Sequence, residues 1–197
     1  MASIRLAEDR DARAMAAIYR PYVEGSAISF ELEAPAEEEM KRRLSAVLAH
    51  APWIVWEERG GVLGYAYASK HRERAAYQWS VDVSVYVAEG QHRRGIGRAL
   101  YVSLLSLLRL QGFYTAHAGI TLPNAASVAL HEAVGFRPIG VYRAVGHKFQ
   151  AWHDVGWWQL ALRERVGTPL PPLSMDQARS LAGWEAGLGA GQGTRVP

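Results

Sequence analysis

The sequence predicts one α/β domain, a central twisted and mostly antiparallel sheet flanked by helices, followed by a tail. Three observations predict it. Segments with period-2 alternation and segments with spacing near 3.6 succeed one another, so strands and helices are interleaved. The run WIVWEE, a turn at Arg59-Gly60-Gly61 and the run VLGYAYAS form a β-hairpin, which makes the early strands antiparallel. The chain has 197 residues, 49% of them hydrophobic, which is enough to bury a sizeable core but short for two full domains.

The elements read in order. Ile4 to Leu6 is a short strand. Residues 9–22 are helical, opened by Glu8 and Asp9, whose charges suit the positive end of a helix. Residues 36–49 form a second helix, acidic at its start and basic one turn later. The hairpin follows, and then WSVDVSVYV at 79–87, the clearest strand of the chain. After a glycine-containing loop come a helix over 96–110, a strand near 113–120, a helix from Asn124 to Val134 and a final strand pair. The order is β-α-α-β-β-β-α-β-α-β-β. Near residue 167 the periodic pattern stops, and GTPLPPLS and later GLGAGQGTRVP offer breakers and little to pack. This predicts a domain over 2–166 and a loosely held or disordered Pro/Gly-rich tail over 167–197.

Composition excludes several function classes. The net charge is +3, from 19 Arg and 3 Lys against 19 acidic residues, with no basic block of the kind that binds nucleic acid. A small anionic ligand suits this arginine-rich balance better than a polymer. No apolar run approaches the ~20 residues of a membrane span, and the charged start MASIRLAEDR lacks a secretory signal, so a cytoplasmic protein is expected. Zero cysteines exclude disulfides, thiolate metal sites and a cysteine nucleophile. HEAVGF is not HExxH, and no metal is expected.

Three places carry chemistry. The loop HRRGIGRAL at 92–100 joins the strongest strand to a helix, bringing unpaired backbone N–H groups and a positive helix end to one spot. Gly95 and Gly97 let the backbone approach a phosphate, and Arg93, Arg94 and Arg98 add charge; a plain turn is the alternative. Neither the dinucleotide fingerprint nor the P-loop is present. In the strand before it, alternation puts Val81, Val83, Val85 and Val87 on one face and Ser80, Asp82, Ser84 and Tyr86 on the other. A partly buried Asp82 is a candidate general base, directly or through water, and a solvated surface Asp is the bland alternative. In LPNAASVALHEAVGF at 122–136, Asn124 is a helix N-cap and His131 lies two turns along the same face. Alone, His131 reads more readily as a satisfied, partly buried histidine than as a functional one.

Together these motifs resemble the GNAT superfamily of acetyl-CoA-dependent N-acetyltransferases over nearly all of residues 3–162. AAYQWSVDVSVYV, AGITLPNAASVALHEAVGF and VGHKFQAWHDVGWWQ are similar to its phosphinothricin/methionine sulfoximine acetyltransferase branch. The resemblance implies a GNAT-like acyl-CoA N-acyltransferase fold. It implies that Val85, Tyr86 and Val87 offer backbone groups to the pantetheine arm, as an added strand would. Arg93, Arg94, Gly95, Ile96, Gly97 and Arg98 would hold the pyrophosphate, and Asn124 the cofactor arm. Asp82 falls where the branch usually has Glu, its proposed general base, and His131 at its proposed catalytic histidine. Phe30, Arg72, Arg74, Tyr77 and Lys148 would line the acceptor pocket. Two departures stand out: His92 replaces the usual Gln or Arg of the loop, and Asp82 is one methylene shorter than Glu.

The implied reaction moves acetyl from acetyl-CoA to the amino group of a small glutamate-like amino acid, of phosphinothricin, methionine sulfoximine or sulfone type. With no cysteine, direct transfer in a ternary complex is expected. A homodimer is also implied. Other amines (a polyamine, an antibiotic, a protein N-terminus) or a non-catalytic acyl-CoA-binding module are the alternatives, and turnover with a panel of amines separates them.

Overall fold

The computed structural model describes residues 2–192. Seven strands form one sheet: β1 (Ala2–Leu6), β2 (Trp53–Glu58), β3 (Gly61–Lys70), β4 (Ser80–Val87), β5 (Thr115–Leu122), β6 (Arg137–Lys148) and β7 (Ala151–Ala161). Their spatial order is β1-β2-β3-β4-β5-β7-β6. Every neighbouring pair is antiparallel except β4 and β5, which run parallel. The helices are α1 (Ala12–Glu24), α2 (Glu37–Leu48), α3 (Ile96–Gln111), α4 (Ala125–Ala133), α5 (Met175–Arg179) and α6 (Trp184–Gly189).

The sequence explains the layers. Positive φ at Arg59 and Gly60 closes the β2–β3 hairpin at the predicted turn. Alternation on β4 sends Val81 and Val83 into the core beneath α3, where Leu100, Leu104, Leu107 and Leu108 are fully buried. The opposite face buries Tyr65 with Met15, Tyr19, Val23, Met40 and Leu44 from α1 and α2. The first predicted helix divides at its start: Asp9–Asp11 form a 3₁₀ turn in which the Asp11 carboxylate accepts the Glu8 N–H at 2.8 Å, and the α-helix begins at Ala12.

One expectation is corrected. The segment 173–191 is packed, with Met175, Ala178 and Trp184 only 6%, 0% and 2% exposed, while 167–172 stays largely exposed. Two short helices escape detection by periodicity, yet a capping box between Ser174 and Gln177 starts the first of them. The glycines that suggested nothing to pack instead permit a close approach: a Cβ on Gly191 would lie 1.9 Å from the Ala99 carbonyl oxygen. Its N–H donates to Ser103 Oγ at 3.0 Å, and Ser103 donates to Leu188 O at 2.7 Å. The last part of the expected tail, 193–197, lies outside the described residues.

Candidate active site

The site begins where the two parallel strands part. β4 and β5 pair over three positions, Ser80↔Thr115 to Asp82↔His117, while β4 runs on to Val87 and β5 to Leu122. Asp82 and His117 therefore stand at the fork. Beyond it lies a narrow cleft of about 70 Å³ between the strands, lined by Val83, Val85, Gly119, Asn124, Tyr101 and His131 among others.

Which backbone groups face that cleft follows from strand alternation. The Ala88 N–H bonds Leu63 O on the β3 side, and Trp79 O accepts the Tyr114 and Thr115 N–H groups on the β5 side. Odd-numbered residues of β4 thus point their peptide groups away from β3, so those of Val83 and Val85 meet the cleft. This corrects the expectation for Tyr86, whose peptide faces β3 opposite Tyr65. At Val87 the carbonyl accepts the Tyr22 hydroxyl at 2.6 Å. An open strand edge of this kind accepts an extended chain with alternating donors and acceptors.

The far end of the cleft is the glycine loop. Gly95 sits at φ 81° as the N-cap of α3, with Arg93 at φ 61°, so the chain turns sharply into the helix. A Cβ on Gly97 would meet Leu130 Cδ2 at 3.2 Å and Val87 Cγ2 at 3.7 Å, so glycine keeps the helix start close to β4 and α4. The first N–H groups of α3 have no intrahelical acceptor, and Arg98 Nε is enclosed without a hydrogen-bond partner among the described residues. A phosphate suits both. Arg93 is exposed, whereas Arg94 pairs with Glu58 at 2.8 Å and with Gln91, so its charge is already engaged. His92 has a structural part: Tyr22 gives its proton to Val87 O, so the 2.8 Å contact is a His92 Nε2–H donating to the Tyr22 oxygen. This ties the loop to α1 and β4.

Asn124 caps α4 as expected, its Oδ1 accepting the Ser127 N–H at 3.1 Å. His131 is 4% exposed and fully engaged. Its Nδ1 donates to Ser127 O at 2.7 Å, which leaves Nε2 to accept the Tyr101 hydroxyl proton at 2.8 Å. Burial lowers its pKa and keeps it neutral. His131 is thus the satisfied, buried histidine that the sequence also allowed, and in this arrangement it holds Tyr101. Tyr101 was not singled out in the sequence, where it reads as one more apolar-face residue of α3.

At the fork, Asp82 meets a partner that the sequence did not flag. His71 Nδ1 lies 2.6 Å from Asp82 Oδ1, with side-chain exposures of 14% and 28%. Burial raises the Asp82 pKa, and the hydrogen bond from His71 opposes that rise. The His117 ring stacks on His71 with centroids 4.2 Å apart, and Tyr77 meets His71 edge-on at 5.9 Å. Burial and the neighbouring His71 lower the His117 pKa to about 4. A cavity of about 400 Å³ opens beside them, lined by His71, Tyr77, His117, Gln159 and Arg165. Register contains a hint of His71: Ser69 lies opposite Asp82, so the chain just past Ser69 runs alongside that carboxylate.

The other expected acceptor residues divide. Arg72 lies 6.0 Å above the Trp157 ring, near His71, and donates to the His71 carbonyl at 2.7 Å. Arg74 is exposed and lines a second cavity together with Arg72, Tyr77 and Gln78. Phe30 covers Gly146, beside His153 at 6.2 Å. Lys148 is corrected: it is 5% exposed, and its ammonium donates to Val23 O at 2.5 Å and Ser29 O at 2.8 Å. It anchors the 23–29 segment rather than meeting a ligand charge.

Residues 4–157 match the family model for the acetyltransferase (GNAT) domain. The chain belongs to the GNAT acetyltransferase family. This bears out the resemblance, and with it an acetyl-CoA-dependent N-acetyltransferase. The chain is 42% identical over 156 residues to a phosphinothricin N-acetyltransferase of Streptomyces viridochromogenes, covering 79% of this chain and 85% of that protein. It is 33% identical to an L-methionine sulfoximine/L-methionine sulfone acetyltransferase of Salmonella typhimurium, covering 83% of this chain and 96% of that one. The structure of a phosphinothricin acetyltransferase from Sinorhizobium meliloti in complex with acetyl-CoA matches this GNAT chain with a TM-score of 0.82 at 36% identity, covering 86% and 93% of the two chains. The mixed sheet flanked by helices is thus the GNAT fold.

Proposed function

We propose that this acetyltransferase acetylates the free α-amino group of a small glutamate-like amino acid of the phosphinothricin or methionine sulfoximine type. The names of its relatives support that acceptor class. The observation that carries the mechanism is the 2.6 Å contact between His71 Nδ1 and Asp82 Oδ1 at the fork.

Acetyl-CoA supplies the acetyl group as a thioester. The peptide groups of Val83 and Val85 would bind its arm along the open edge of β4, Asn124 would support it, and the N–H groups at Gly95, Ile96 and Gly97 with Arg98 would hold the pyrophosphate. An ammonium group must lose a proton before it attacks. An ionised Asp82 can only accept, so His71 Nδ1 carries the proton of their bond and Nε2 keeps its lone pair. The pair then takes the proton of the amine at His71 Nε2, with Asp82 orienting the ring and stabilising the imidazolium. The shorter reach of Asp relative to Glu is made up by the imidazole. Tyr101, fixed by His131, would line the wall of the cleft. Tyr77 and Arg72 would meet the acceptor, Arg72 through a carboxylate.

A homodimer belongs to the same proposal. The edge strand β6 exposes Ile139, Val141, Tyr142 and Val145 at 54%, 40%, 49% and 51%, an apolar row that a second copy would cover.

The test is thiol release from acetyl-CoA with L-phosphinothricin, L-methionine sulfoximine and spermidine. Saturable release with a glutamate analogue, abolished in His71→Ala while acetyl-CoA still raises Tm, supports the proposal. Full turnover in His71→Ala refutes the proton-accepting role of the pair, and release with spermidine alone refutes the acceptor class.

A further inference from the structure

We propose that His71, Asp82 and His117 bind a divalent late first-row transition-metal ion, of which zinc(II) is the representative. One ligand atom from each lies within 4.8 Å of the others. They come from three adjacent segments: the chain just after β3, the middle of β4 and the paired part of β5, so backbone pairing already holds them together. Two of the three are in contact through His71 Nδ1 and Asp82 Oδ1 at 2.6 Å, and the two imidazoles stack with an interplanar angle of 17°.

His117 gives the independent observation. Its Nδ1 is enclosed and makes no well-formed hydrogen bond among the described residues. The Val81 backbone interacts with the ring, so the imidazole is only partly satisfied, and a cation at the fork would complete its coordination. A neutral imidazole is the form that ligates. Two imidazoles and a carboxylate select zinc, cobalt or nickel over magnesium or calcium, which favour all-oxygen sites. Three protein ligands leave a fourth position open in a tetrahedral site.

The rings must turn before they ligate together, because in a stack with an interplanar angle of 17° their in-plane lone pairs run side by side rather than converge. Metal–ligand bonds of about 2.0–2.1 Å set ligand atoms roughly 3.3 Å apart, so the widest separation closes by about 1.5 Å or less, within reach of side-chain rotation. When the ion takes His71 Nδ1, the proton of that N–H passes to solvent, and the positive charge of the ion replaces it. If the proton-accepting role proposed above holds, the ion also blocks it, so zinc inhibits acetyl transfer reversibly. Binding itself does not depend on that role.

Chelator-treated full-length protein is titrated with cobalt(II) and then zinc(II), following visible d–d absorption and calorimetry. The expected result is one equivalent of cobalt with a visible band, displacement by zinc, and at least a tenfold loss of zinc affinity in His71→Gln and in His117→Ala. His147→Ala, which removes an exposed imidazole on β6, should leave affinity unchanged. A Tm increase with acetyl-CoA shows that each variant is folded. The proposal is overturned by the unaltered protein alone if zinc binds more weakly than about 1 mM, and equally by a folded His71→Gln/His117→Ala variant that keeps its affinity. Loss of zinc binding in a folded His117→Ala variant supports the site, whatever the fate of the catalytic reading.

Discussion

Replacing Trp184 with alanine tests whether the C-terminal segment is part of the folded domain. The indole is 2% exposed and belongs to the cluster built on the leucines of α3. Removing it takes on the order of 200 Å² of apolar surface out of the interior, about 5 kcal/mol at ~25 cal/mol/Å². The six-residue helix α6 lies close to the end of the described chain, so it can settle part-way into the space. Buried tryptophan truncations cost about 3–5 kcal/mol, and the low end, about 3 kcal/mol, is the expected value. For a chain of this size each kcal/mol lowers Tm by roughly 2–4 °C, so calorimetry should record a fall of about 6–12 °C with a single transition. A fall below 2 °C would mean that the segment contributes nothing to the core and that the packing of Met175, Ala178 and Trp184 is not a property of the folded protein.

Other outcomes follow from the site. Asp82→Asn keeps the shape and an acceptor for the His71 N–H but removes the charge; kcat should fall about 10²–10⁴-fold, the usual size of general-base assistance, with Kd for acetyl-CoA unchanged by calorimetry. Gly97→Val crowds Leu130 and Val87 and disturbs the N–H cradle; losing one charge-assisted hydrogen bond, about 1.5–3 kcal/mol, should raise KM for acetyl-CoA by tenfold or more with kcat less affected. His131 is held neutral in the fold and is free to protonate once unfolded. Unfolding therefore takes up a proton as pH drops through the ordinary histidine range near 6.5, and stability falls from there downward. His131→Gln should show a shallower decline of Tm below that pH than the parent; an equal slope would show that His131 protonates freely in the fold.

Much of the fold was legible because its signals are local. The alternation of Ser80 to Val87 separates a valine face from a polar face, and the structure places the valines under α3 as that pattern requires. The glycine loop and the Asn124 cap depend on backbone conformations that only a few residue types adopt readily, so they show in sequence. What escaped is tertiary. Tyr101 and His131 meet across α3 and α4, 30 residues apart, and neither carries a mark of the other. His71 joins Asp82 only because β3 and β4 pair in one particular register. The place of Lys148 is tertiary too, because two backbone carbonyls distant in sequence satisfy its charge inside the fold. The C-terminal helices are too short for a helical period to register, and their glycines mark close packing at Gly191 rather than a lack of it.

The central claim is that a His71–Asp82 pair at the strand fork accepts the amine proton of a glutamate-like acceptor. The most direct measurement is the pH profile of kcat/KM for L-phosphinothricin in metal-free protein, compared between the parent and His71→Ala. The parent should lose activity on the acid side as the Asp82 carboxylate, its pKa raised by burial, is neutralised, and His71→Ala should be at least a hundredfold slower while still binding acetyl-CoA. A His71→Ala enzyme with the same profile and the same rate would contradict the claim.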